Sequence, residues 1–160
     1  MPSFVHCLKK GQEAETLVSE LLLKHQIEGV SCNKASHDIS FIIDSETYSL
    51  EVKFDLYSDK SGNVAIEYYN PLKCKPSGIT ATTADLWVYV FPDLEIHAVS
   101  TASLKEFIKA NAPDRNLPKV GDGNASIYLY KKQFILDKAF TLVSNMDKEE
   151  FVTALRGLLC

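Results

Sequence analysis

The chain has 160 residues, of which 46% are hydrophobic and 24% are charged, with a formal net charge of −4. These values predict an ordinary globular domain over residues 1–160, and they neither indicate nor exclude a nucleic-acid partner. The lack of an eighteen-residue apolar run excludes a membrane span, and we expect a cytoplasmic protein, in the host cytoplasm if a phage encodes it. The four cysteines show no zinc-ligand spacing, which favours free thiols.

The first predicted element is a helix from Gly11 to His25. Its apolar residues recur at helical spacing and form one stripe for the core, made of Ala14, Leu17, Val18, Leu21 and Leu22. Glu15 borders this stripe, so its carboxylate can point along a neighbouring sheet. Leu23 faces away from the stripe, and we interpret it as a contact with a second subunit. This predicts a homodimer or a higher homo-oligomer.

Alternating or continuously apolar segments predict strands through the middle of the chain. They cover residues 30–32 weakly, then 39–43, 48–54, 64–69, 85–91, 95–100 and 125–130.

Two later segments predict helices. One covers residues 103–110, with Ser103 and Glu106 as a capping box, and the other covers 147–159, with Asp147 as its N-cap. We expect residues 112–124 to be irregular. The pattern of residues 131–144 fits either a strand or a short helix.

Charged residues lie on both strands of a predicted hairpin. Residues 48–54 alternate apolar and polar, so Glu51 and Lys53 project from one face. If residues 44–47 form the loop, Asp38 falls opposite Lys53 and lies diagonal to Glu51, roughly 7–8 Å away between Cβ atoms. Two carboxylates at that separation can bind one hard cation such as Mg²⁺. Taken alone, however, the Glu51–Lys53 pair is better explained as an exposed ion pair.

This order of features resembles the PD-(D/E)xK nuclease superfamily. A helix with Glu15 precedes Asp38, then the Glu51-Val52-Lys53 motif, and then a further strand and helix. The resemblance covers residues 10–91.

Two stretches are similar to particular branches of that superfamily. The spacing of Gly11 and Glu15 is similar to the resolvase-type branch. The stretch from Lys75 to Ile79, with the one from Thr83 to Tyr89, is similar to small phage-type members. His37 stands where the superfamily's name has proline, a position that varies among its members.

The resemblance implies an α/β fold with a central mixed sheet flanked by helices, like that of restriction endonucleases. It also implies Mg²⁺-dependent hydrolysis of DNA phosphodiester bonds that leaves a 5′-phosphate, with Mn²⁺ as a possible substitute. Asp38, Glu51 and the Val52 carbonyl would hold the metal, and Lys53 would orient the water or stabilise developing charge. Glu15 would complete the metal or water ligand set.

The loop from Asn70 to Ala84 mixes lysines, hydroxyl groups and a glycine, which suits contacts to phosphate groups. An ordinary surface loop explains that composition equally well. If the chain acts on DNA, the candidate contacts to its backbone are Lys73, Lys75, Ser77, Thr80, Thr82 and Thr83.

Other functions remain open on the sequence alone. The chain could be a catalytically inactive nucleic-acid-binding protein of the same fold, or a structural protein in which Glu51 and Lys53 only form a surface ion pair. Among nucleases, a junction resolvase needs a symmetric dimer, and a homing or restriction enzyme needs base readout.

Overall fold

The computed structural model describes residues 4–32 and 35–160. In chain order its elements are α1 (Phe4–Lys24), β1 (Glu28–Cys32), β2 (Ile39–Ile43), β3 (Glu46–Phe54), α2 (Ser58–Ser61), β4 (Asn63–Asn70), β5 (Lys75–Pro76), a 3₁₀ turn (Gly78–Thr80), β6 (Leu86–Val90), β7 (Ile96–Ser100), α3 (Thr101–Ala110), β8 (Arg115–Val120), β9 (Ala125–Lys131), α4 (Lys132–Ala139), β10 (Thr141–Leu142) and α5 (Lys148–Leu159).

The central sheet has six strands in the order β1-β2-β3-β6-β7-β10. Strands β3 and β6 are parallel neighbours, whereas the other pairs in this sheet are antiparallel. Because helices pack on both of its faces, the predicted α/β fold with a central mixed sheet is confirmed. Strand β6 is buried along its whole length, as expected for the middle of such a sheet.

Two apolar cores lie on opposite faces of the central sheet. The first core joins α1 and α5 to one face through residues such as Val18, Val52 and Phe151. The second core joins the other face to α3, α4 and a second sheet, and it contains Trp87 and Tyr130. One face of strand β3 therefore packs in the first core, and its other face lies on the side of the sheet that carries the second core.

The second sheet, in the order β5-β4-β9-β8, was not foreseen. The expectation that residues 112–124 are irregular is wrong, because Arg115–Val120 pairs with β9. Proline lacks a backbone donor and is tolerated on a sheet edge, so Pro118 does not prevent this pairing. Strand β8 is mostly exposed, which removes the apolar alternation that marks a half-buried strand.

The hairpin of β2 and β3 has a shorter loop than the sequence suggested. Ile43 pairs with Glu46, and only Asp44 and Ser45 turn the chain, both with positive φ. The predicted four-residue loop is wrong, and the register is displaced by two positions. Because side chains on a strand repeat every two residues, this displacement leaves each side chain on its predicted face.

Three helix predictions also change in detail. Helix α1 begins at Phe4 and not near residue 11, and its exposed early residues include Leu8 and Lys9. The N-cap of α3 is Ser100, which accepts the Ser103 N–H, so the capping box at Ser103 is wrong. The undecided segment 131–144 holds both α4 and the short strand β10. The predicted N-cap of α5, Asp147, is confirmed, and it forms a capping box with Glu150.

Helix α1 carries an exposed Leu23 side chain, as the periodicity predicted. Among the described residues, no helix is long and apolar enough to cross a membrane.

Candidate active site

The centre of the candidate site is the middle of β3, where Glu51 and Lys53 lie on the face opposite the buried Val52. The Lys53 ammonium donates to Glu51 Oε1 at 2.7 Å. The Glu51 side chain is 19% exposed and that of Lys53 is 36% exposed. This pair lies in a partly enclosed position and not on open surface, so its charges are less screened than those of a typical exposed ion pair.

Asp38 lies immediately before β2 and extends the pairing of β2 with β3. Its N–H donates to the Leu50 carbonyl at 3.1 Å, and its carboxylate accepts the Val52 N–H at 2.7 Å. Since Ile39 pairs with Leu50, continuing the register by one residue brings Asp38 opposite Glu51. The predicted pairing of Asp38 with Lys53 is wrong by two positions, yet Asp38 and Glu51 stay on neighbouring strands.

The charges of Asp38, Glu51 and Lys53 act on the ionisation of Glu15 in α1. Burial raises the pKa of Asp38, the Val52 hydrogen bond lowers it, and the charge of Glu51 raises it again. Burial also raises the pKa of Glu15, and the charges of Asp38 and Glu51 add to that rise, while Lys53 lowers it. The helix thus brings a third carboxylate into the field of the hairpin pair.

Two carboxylates and a backbone carbonyl are the oxygen donors available here. Within residues 4–32 and 35–160, no three His, Cys, Asp or Glu side chains lie close enough together to ligate one ion. The N–H and C=O of a strand residue point to the same side, so the Val52 carbonyl faces the side on which Asp38 lies. Hard divalent cations such as Mg²⁺ prefer such oxygen ligands. These residues therefore fit Mg²⁺ or Mn²⁺.

The loop predicted to contact DNA has two exposed lysines, Lys73 and Lys75. The turn that leads to Lys73 is held by Asn70, whose side-chain oxygen accepts the Lys73 N–H at 2.9 Å. Both ammonium groups can therefore approach an anionic surface.

The hydroxyl groups of the same loop are largely engaged within the protein. Ser77 donates to Glu67 Oε1 at 2.6 Å, and Thr80 donates to the Ser77 carbonyl at 2.8 Å. Thr82 accepts the Ala84 N–H at 3.2 Å. These contacts give Ser77 and Thr80 a role in holding the loop, and their contact with DNA stays a prediction.

Thr82 and Thr83 line an open groove at the start of β6, together with Lys105 from α3. The groove also exposes Asp85, whose carboxylate accepts the Ser49 N–H at 2.8 Å. Lys105 was not among the predicted contacts, because its position beside this loop depends on tertiary packing.

Of three comparisons of this chain with known proteins, only the one with solved structures finds similarity. No protein-family model matches it, and no curated protein matches its sequence. Among solved structures, it is similar to "The structure of a bacterial homing endonuclease: I-Ssp6803I", with 18% identity and a TM-score of 0.51 over 94% of this chain and 90% of the other. The chain shares the fold of that protein. At this identity the likeness concerns the fold alone.

Proposed function

We propose that the chain is a metal-dependent DNA endonuclease of the PD-(D/E)xK type. The observation that carries this proposal is the cluster of Asp38, Glu51 and Lys53 on adjoining strands, with Glu15 of α1 in the same electrostatic field. The fold likeness supports the proposal, because the similar structure is titled a homing endonuclease. An inactive protein of the same fold has no need to keep two carboxylates and an amine together.

The chemistry assigns a role to each residue. Asp38, Glu51 and the Val52 carbonyl would hold Mg²⁺, which offsets charge on the phosphate and lowers the pKa of an attacking water. Lys53 presents an ammonium group that orients the water or stabilises the charge that develops on the phosphate. Glu15 adds a carboxylate that can accept a proton or a hydrogen bond from that water. We propose that hydrolysis leaves a 5′-phosphate, as the resemblance to the PD-(D/E)xK superfamily implies.

We propose that the substrate is double-stranded or branched DNA and that the protein binds it as a homo-oligomer. The exposed Leu23 on α1 is the surface that we assign to the contact between subunits. A resolvase-type enzyme would use the twofold symmetry of a dimer to cut two strands of a junction. We propose that the protein acts in the cytoplasm of the cell that contains it.

The decisive experiment compares supercoiled plasmid, a branched junction and single-stranded DNA, each with Mg²⁺, with Mn²⁺ and with chelator. We expect cleavage only with the divalent ion. Lys53→Ala should lower the rate by about 100- to 1000-fold, the effect of removing one electrostatic stabiliser from an active site. Lys109→Ala is the matched control, because Lys109 is also paired with a glutamate but lies on the exposed side of α3.

The alternative function is DNA binding without cleavage. Binding of the three DNA forms in chelator, together with no cleavage in any metal, would favour that alternative. Cleavage that persists in chelator, or that proceeds at the wild-type rate in Lys53→Ala, would contradict the proposed mechanism.

A further inference from the structure

The residue beside Glu51 on the neighbouring strand is Trp87, and this pairing gives Lys53 a second contact. In the parallel pair of β3 and β6, Glu51 is aligned with Trp87 and Lys53 is aligned with Tyr89. These side chains share one face of the central sheet. The Lys53 Nζ lies 5.2 Å from the centre of the Trp87 ring while it donates to Glu51 at 2.7 Å.

The indole ring is itself held rigidly. Trp87 is 1% exposed and belongs to the second core. It meets Tyr89 edge to face, with ring centres 6.4 Å apart, and the Tyr89 hydroxyl donates to the Ala65 carbonyl at 2.6 Å. A lysine side chain loses considerable rotamer freedom when it is fixed, so a rigid partner matters for keeping it in one place. The ring supplies such a partner.

The two contacts of Lys53 respond differently to a bound cation. Glu51 is a carboxylate assigned to the metal, so its attraction for the Lys53 ammonium weakens once its charge is shared with a divalent ion. The face of an indole ring attracts a cation through its quadrupole, and tryptophan does so more strongly than tyrosine or phenylalanine. The ring carries no net charge to be shared, so this attraction persists when Glu51 binds metal.

We propose that Trp87 is a positioning residue, which keeps the Lys53 ammonium beside Glu51 in the metal-bound enzyme. This inference rests on the proposed nuclease function and names a residue that acts through Lys53 without touching the phosphate. It also gives a reason for a large aromatic side chain at this point of β6, where the neighbouring core positions hold aliphatic residues on the other face.

The test exploits the fact that the chain contains a single tryptophan. Biosynthetic replacement of tryptophan by mono-, di- and trifluorotryptophan changes this ring alone, preserves its shape and progressively weakens its attraction for cations. We expect the single-turnover cleavage rate with Mg²⁺ to fall along the series by about 2- to 30-fold in total, the range that corresponds to such contacts. DNA affinity in chelator and the thermal midpoint should stay unchanged, and Trp87→Phe should retain part of the rate.

Tryptophan fluorescence tests the contact of Lys53 with Trp87 without measuring cleavage. Lys53→Met should shift the tryptophan emission of the unlabelled protein, while Lys10→Met should not. Lys10 is the matched control, because its ammonium lies 5.9 Å from the ring of Phe54 and not over Trp87.

Three outcomes decide the matter. A rate that stays constant along the fluorinated series, in a protein that cleaves DNA, would overturn the positioning role. Equal emission from Lys53→Met and Lys10→Met would overturn the contact itself. If the wild-type protein cleaves none of the DNA forms, the proposed function fails and the positioning role fails with it, while the emission comparison still decides whether the ring holds Lys53.

Discussion

The carboxylate of Asp38, one residue before the start of β2, accepts the backbone N–H of Val52 in β3 at 2.7 Å. The side chain thus takes the place of a backbone acceptor at the end of the hairpin. This bond fixes the carboxylate of Asp38 beside the strand that carries Glu51 and Lys53. It also couples the local stability of β3 to a residue assigned to catalysis.

Replacement of Asp38 separates these two roles. Asp38→Asn removes the negative charge assigned to the metal, so we expect it to abolish cleavage. It keeps an oxygen that can accept the Val52 N–H and no longer buries a charge, so its stability should be unchanged or slightly increased. Asp38→Ala leaves that N–H without its partner and should destabilise the protein by about 1–3 kcal/mol. Urea denaturation and plasmid cleavage measure the two effects. Equal destabilisation by both variants would show that the hydrogen bond contributes nothing.

The exposed lysines of the Asn70–Ala84 loop predict a dependence of DNA binding on salt. Each lysine that neutralises one phosphate contributes about 0.9 to the slope of log affinity against log salt concentration. The double variant Lys73→Gln/Lys75→Gln should therefore reduce the magnitude of that slope by about 2, measured by fluorescence anisotropy in chelator. Lys109→Gln is the control on α3, and an equal reduction by this variant would remove the loop from the interface.

Gly78 begins the 3₁₀ turn that returns the loop to the second core. Its φ is +52°, and a Cβ atom there would lie 2.2 Å from the Glu67 carbonyl oxygen. We expect Gly78→Ala to destabilise the protein by more than about 1 kcal/mol, because both the backbone conformation and the clash with main chain oppose it.

Gly11→Ala is the matched control for this prediction. Gly11 lies within α1, and outside the backbone of that helix no described residue comes within 4 Å of a Cβ atom placed there. Alanine favours a helix over glycine, so this variant should stabilise the protein by about 0.5–1 kcal/mol. Equal thermal midpoints for the two variants would contradict the constraint at Gly78.

His25 predicts a loss of stability in mild acid. Its ring stacks on Phe151 with centres 4.3 Å apart, and burial lowers its pKa, with Lys24 and Lys148 lowering it further and Asp147 raising it. As the pH falls through about 6.5, the unfolded chain therefore binds a proton that the folded chain does not. The free energy of unfolding should decrease from pH 7 towards pH 5.

The variant His25→Phe keeps the stacked ring and removes the titration, so its stability should change less over that interval. Urea midpoints at half-unit steps of pH give the comparison. The wild-type protein, measured in the same series, gives the reference slope. A His25→Phe variant with that same slope would exclude His25 as the source.

The sequence identifies local features of the site better than long-range ones. Alternation along residues 48–54 predicts the strand and the shared face of Glu51 and Lys53, because both depend only on neighbouring residues. The turn was predicted as four residues and not as two, since serine at position 45 is a weak signal for positive φ compared with glycine. That error preserved the site only because a displacement of two positions equals the repeat of a strand.

Features formed by distant segments were not predictable in this way. The contact of Lys53 with Trp87 requires the parallel pairing of β3 with β6. The sequence of a strand does not specify which other strand will lie beside it. The second sheet was missed because β8 is exposed on most of its length and contains Pro118. Strands β4 and β9 were predicted individually, but their pairing joins segments that are distant in the sequence.

The parallel arrangement of β3 and β6 has a kinetic consequence. The hairpin that brings Asp38 to Glu51 has a turn of only two residues. The contact of Lys53 with Trp87 requires β3 to pair with β6, and β4, β5 and the 3₁₀ turn lie between these two strands in the sequence. Contacts that close long loops develop later and more slowly than local ones. During refolding, Asp38 and Glu51 should therefore come together first, and the Lys53 ammonium should acquire its fixed orientation only when β3 and β6 have paired.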